Sequence, residues 1–205
     1  MERLLTFSDA VVAIAATLLV LPLVDIAPKE QVEDVGALLA DNLNNFLAFL
    51  LSFVVIYRFW LTHHHTFGAA KQLGGALIWL NGLWLISIVF LPFPTQLIGD
   101  QDVHNRLVNG LYIGTMLVTA ASAVAGQWLV ARADARAGRP STIDPYGPGL
   151  ALVVALAVAL VIALAFPAIG LWSLLVLVVS GVLAARMRRR ARTASTRGQA
   201  TPPQQ

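Results

Sequence analysis

The charged residues of this chain fall into clusters, and long uncharged stretches run between them. Asp9 and Asp25 enclose the first stretch, with Pro22 near its far end. Asp41 and Arg58 enclose the second, which continues through Trp60. Gln72 to Gly99 is the third, and Pro92-Phe93-Pro94 is expected to stop it, because proline cannot donate the helix hydrogen bond. Leu107 to Ala131 is the fourth. Pro145 to Ala185 is uncharged throughout and too long for one span, since about 20 residues cross roughly 30 Å of hydrocarbon. Phe166-Pro167-Ala168-Ile169-Gly170 divides it into a fifth and a sixth helix. The pattern predicts an all-α polytopic membrane protein of six transmembrane helices. Residues 1–190 form that domain, and 191–205, which lack an apolar face, form a disordered basic and polar tail.

Composition agrees. Of 205 residues, 58% are hydrophobic and 12% charged, against about 45–50% and about 25% in soluble domains. Mean hydropathy is +0.74. These values exclude a soluble globular enzyme and a disordered chain. The absence of cysteine excludes disulfides, thiolate metal sites and cysteine nucleophiles.

Charge placement gives orientation. The first and third loops are acidic, with Glu30, Glu33, Asp34 and Asp41 in one and Asp100 and Asp102 in the other. Lys71, Arg132, Arg136, Arg139 and the run from Arg186 to Arg197 lie on the opposite side. The positive-inside rule places both termini in the cytoplasm, as an even number of spans requires. The basic tail is read as a contact with anionic lipid and not with nucleic acid, because it has neither aromatic residues nor a folded scaffold. The N-terminus has one Arg and no small-residue cleavage site, so it is read as a retained helix and not a signal peptide.

Candidate chemistry is sparse. Ser8 and Asp9 stand in the first turns of helix one, as a cap, as a polar cluster that packs the helix at the membrane edge, or as both. Ile14, Leu18 and Leu21 share a face at i, i+4 and i+7, with Thr17 beside them and small alanines at 13, 15 and 16. That face either packs in the ordinary way or, repeated around an axis, forms a hydrophobic constriction that gates by dewetting. His63, His64 and His65 are adjacent, and neighbours on a helix diverge by about 100°, which is poor chelating geometry. They are read as interfacial side chains, or as a group of which one pairs with Asp9 or Ser8. Asn81 and other polar residues of helices three and four are read as interhelical hydrogen bonds. No catalytic, phosphate-binding or metal motif occurs, so no enzyme, metal or cofactor is expected.

Arg3-x-x-x-Phe7-Ser8-Asp9 before an apolar helix, Trp60-x-x-His63 with Phe67, and Leu91-Pro92-Phe93-Pro94-Thr95 resemble the transmembrane protein 175 family of endolysosomal potassium channels, in its short prokaryotic single-repeat form. The resemblance implies a homotetramer with helix one of each subunit lining the pore and no carbonyl filter. It implies constriction residues Ile14, Leu18 and Leu21 with Thr17, and a signature network of Arg3, Phe7, Ser8, Asp9, Trp60 and His63. The implied function is a potassium-selective or potassium-permeable channel in the cytoplasmic membrane of a prokaryote, with K+ and the bilayer as its partners. The alternative is a proton-coupled cation transporter using Asp9 and His63.

Overall fold

The computed structural model describes residues 2–26, 34–70, 74–100, 105–141, 143–144 and 147–165. Among these residues every regular element is a helix. They are α1 (Glu2–Leu18), α2 (Leu21–Ile26), α3 (Val35–Asp41), α4 (Leu43–Ala69), α5 (Gly75–Phe90), α6 (Pro92–Asp100), α7 (Arg106–Arg136) and α8 (Pro148–Ala165). Four stretches are long and apolar enough to cross a bilayer: Glu2–Ile26, Leu43–Ala69, Gly75–Gly99 and Arg106–Arg136. α8 is a further apolar helix. The expected sixth helix and the tail lie outside the described residues.

Proline interrupts these helices without ending them. Pro22 has no amide hydrogen for the Leu18 carbonyl, so the chain turns at Leu19 and Val20 and resumes as α2. The third stretch does not stop at Pro92-Phe93-Pro94, contrary to the sequence-based expectation. Pro92 opens α6, where the amide it lacks would be unsatisfied in any case. The Leu91 carbonyl then receives both the Thr95 amide at 3.2 Å and the Thr95 hydroxyl at 2.8 Å. Thr95 Oγ1 also lies 2.8 Å from Ser52 Oγ on α4, and that oxygen lies 3.0 Å from the Tyr112 hydroxyl on α7. The kink is braced from two sides by groups that hydrocarbon could not replace.

α7 is the central post, packing on α4, α5, α6 and α8. Trp84, Ile88, Tyr112, Ile113 and Met116 are buried around it. α8 meets it along Leu156, Ala159 and Ala163, and the two small alanines allow close approach. A Cβ at Gly110 would come within 3.0 Å of Leu164 Cδ2. α7 ends on Gly138 at φ +65°, with the Arg139 amide on the Asp134 carbonyl and the Gly138 amide on that of Ala135. This left-handed cap satisfies carbonyls that the end of the helix would otherwise leave open. The Arg139 guanidinium adds a 3.1 Å contact with the Asp134 carboxylate.

Thr119 Oγ1 donates to Ser87 Oγ at 2.8 Å, joining α7 to α5 inside the core. Thr119→Val is expected to lower stability by about 1 kcal/mol, measured by reversible unfolding in mixed micelles. No change would mean that the pair is not a fastener.

Candidate functional site

α1 has two faces. Ser8, Val12, Ala15 and Leu19, spaced by four, three and four, are buried. They turn toward α4 and α5, the helices that α1 packs on. On the other side, Phe7, Ile14, Leu18 and Leu21 are 59%, 61%, 39% and 53% exposed. Thr17 is exposed with them, and its hydroxyl donates to the Ile14 carbonyl at 2.8 Å. Thr17 therefore presents lone pairs outward and not a proton.

A buried polar cluster fixes which face is which. Asn81 of α5 lies at its centre. His63 of α4 donates from Nε2 to Asn81 Oδ1 at 2.6 Å. An amide oxygen only accepts, so the imidazole hydrogen sits on Nε2. Asn81 Nδ2 donates to Ser8 Oγ of α1 at 3.3 Å, and Ser8 Oγ donates to the Leu4 carbonyl at 2.9 Å. Ser8 is 0% exposed, and Asn81 and His63 are each 2% exposed. The His63 ring lies between Trp84, at 3.9 Å and 14° between ring planes, and Phe67, at 4.3 Å and 21°. His63 Nδ1 and Trp84 Nε1 are buried with no hydrogen-bond partner.

A second contact stands at the rim. Asp9 Oδ1 accepts from Trp60 Nε1 at 2.7 Å, and Asp9 Oδ2 lies 3.4 Å from His64 Nδ1. Trp60 packs between Tyr57, at 5.7 Å, and His64, at 5.5 Å. The three histidines diverge as adjacent helix positions do: His63 turns inward to Asn81, His64 meets Asp9, and His65 is exposed. Asp9 is thus reached by His64, and not by His63. Arg3 and Phe7 lie on the exposed side, and Arg3 forms no ion pair among the described residues.

Sequence reasoning treated Asn81 as one interhelical hydrogen bond among several and did not place Trp84 against His63. The available signal was a lone amide inside the apolar run Gly75 to Phe90, since such a group must find partners within the protein.

A family model described as the endosomal/lysosomal potassium channel TMEM175 matches residues 3–92. These residues carry every member of the two polar contacts above. A potassium channel of Chamaesiphon minutus is 34% identical over 165 residues, covering 74% of this chain and 80% of the relative. The chain belongs to the TMEM175 family. A potassium channel of a Chryseobacterium species is 33% identical over 115 residues, covering 56% of this chain and 57% of that one. The crystal structure of a lysosomal potassium-selective channel TMEM175 homologue from Chamaesiphon minutus superposes with a TM-score of 0.63 at 30% identity. It covers 92% of this chain and 96% of that one. The TMEM175 fold accounts for the helical membrane architecture, and the family is one of ion channels and not enzymes.

The two polar residue sets differ in what they hold. Asn81→Ala leaves the buried His63 Nε2 hydrogen without an acceptor, while Ser8 keeps its bond to the Leu4 carbonyl, and should destabilise the subunit by about 2 kcal/mol. Arg3→Ala should change stability by less than about 0.5 kcal/mol. Unfolding in mixed micelles measures both, and equal losses would contradict the assignment of Asn81 as the centre.

Proposed function

We propose that this chain is the subunit of a potassium-permeable cation channel. Four copies assemble with their α1 helices around a common axis in the cytoplasmic membrane of a prokaryote, and both termini face the cytoplasm. One observation carries the reading. α1 is held on one side by Ser8, Val12, Ala15 and Leu19, while its opposite side presents a continuous exposed row of Phe7, Ile14, Leu18 and Leu21. Membership of a family whose bacterial relatives carry the name potassium channel supports it.

In this assembly Ile14 forms the narrowest ring. A potassium ion beside four isoleucines loses hydration and gains no ligand, so the ring acts as both gate and size filter. The Thr17 oxygens, with their protons turned back to the backbone, are the adjacent ligands available to a cation. Leu18 and Leu21 continue the apolar wall. Asp9, held by Trp60 and flanked by His64, stands at the cytoplasmic mouth and raises the local cation concentration. Both the exposed α1 row and a conduction path need several copies of the chain, and neither needs a carbonyl loop.

Planar-bilayer recording of the reconstituted protein under opposed potassium and sodium gradients tests the reading. The expected result is unitary steps whose reversal potential lies toward that of potassium. Ile14→Asn should wet the constriction and move the reversal potential toward zero, because a hydrated sodium ion then passes as well. An unchanged reversal potential in this variant would remove Ile14 from the filter, and silence of inserted, folded protein would remove the channel.

A further inference from the structure

Arg58 is an exposed cation on a transmembrane helix. It lies well within α4, which runs from Leu43 to Ala69. Among the described residues it has no ion-pair partner. Its neighbours on the same outer surface are apolar: Val54, Tyr57 and Leu61 are 49%, 51% and 41% exposed. A guanidinium in such a place is costly unless an anion meets it.

The helix itself gives the direction. Trp60 and His64, four residues apart, are the α4 side chains that reach Asp9 of α1. At about 100° per residue, Arg58 is turned about 200° from Trp60, to the far side of α4 from α1. In an assembly with α1 at the axis, that side faces outward, toward lipid.

Depth follows from length. Between Asp41 and Arg58 the uncharged residues rise about 1.5 Å each, about 24 Å in all, and the extended Arg stem adds about 6 Å. The sum matches a hydrocarbon core of about 30 Å, so the guanidinium emerges at the phosphate level. Tyr57 and Trp60, amphipathic rings of the kind found in interfacial belts, stand at the same level. His65 lies seven residues on, hence on the same face and exposed, and offers a second polar group about two turns nearer the water. Thr62, between them, donates its hydroxyl to the Arg58 carbonyl at 3.2 Å and so commits its proton to the backbone.

We propose that Arg58 and His65 on the outer face of α4 bind the phosphodiester headgroup of an anionic phospholipid. Arg58 supplies the planar fork that suits a phosphate, and its stem lies along the apolar surface beside the acyl chain. The site rests on the proposed arrangement with α1 at the axis for its lipid-facing direction, and it takes no part in conduction.

The test is native mass spectrometry of the detergent-purified full chain, equilibrated with phosphatidylglycerol or with phosphatidylcholine. Wild-type protein is expected to keep phosphatidylglycerol preferentially, and Arg58→Gln to keep about five- to tenfold less of it. His65→Gln should lose a smaller share, and as a substitution on an exposed surface it keeps the test available if Arg58→Gln does not fold. Retention equal to wild type in Arg58→Gln, or in His65→Gln where only that variant folds, overturns the proposal. So does an Arg58→Gln protein that falls apart into single chains still carrying their phosphatidylglycerol, which would give Arg58 to a neighbouring subunit.

Discussion

Hydrocarbon offers no hydrogen bonds, and the Asn81 amide is buried among helices that stand in it. Its partners must therefore come from the subunit, and they come from two other helices, His63 on α4 and Ser8 on α1. Three spans are tied at one point by an amide that accepts from one side and donates to the other. The stacking of His63 between Trp84 and Phe67 fixes the ring plane that makes the 2.6 Å contact. The arrangement is not fully satisfied, since His63 Nδ1 and Trp84 Nε1 are buried without partners. Both lie in the same stack. The cost of two unmet polar atoms is thus concentrated where the packing constrains the helices most.

The remaining polar groups obey the same constraint in a simpler way. Where Pro92 and Pro94 break the backbone ladder, the Thr95 hydroxyl, Ser52 and the Tyr112 hydroxyl gather at the break. Where α7 ends, a left-handed Gly138 returns two amides to open carbonyls. The Asn81 cluster differs because it includes α1 and sets the rotation of that helix about its own axis.

Much of this was legible in the sequence, and the misses have physical causes. Charge clusters marked the spans because charge is expensive inside the bilayer, and the described part of each uncharged stretch lies largely in helix, although α1, α4 and α7 run past theirs into charged residues. The prolines at 92 and 94 were misread as a terminus. Sequence alone does not reveal that the chain resumes its helix from Pro92, or that a serine and a tyrosine of two other helices gather on Thr95 there. The pairing at Asp9 was open among three adjacent histidines, and only the rotational phase of α4 selects His64. Asn81 was visible as a lone amide in an apolar run, yet its central place depends on three helices meeting, which no single-helix pattern encodes. Arg3 and Phe7 came from a motif resemblance, and within one subunit they stand on the exposed side, apart from the buried cluster.

Rotation is the variable that joins the polar cluster to the proposed pore. Residues 12 to 17 read Val12-Ala13-Ile14-Ala15-Ala16-Thr17, so Ile14 is flanked on both sides by alanine. Turning α1 by one residue's worth, about 100°, would replace isoleucine at the axis by a side chain shorter by three carbons. Four such replacements would widen the ring by several ångströms and admit water. The proposed ring of Ile14 therefore requires one rotational setting of α1. Ser8, six residues before Ile14 and about 240° around the helix from it, cannot stay on Asn81 in any other setting. The hydrogen bonds of Ser8 and the proposed apolar ring at Ile14 stand on one helix less than two turns apart, so the first would set the second.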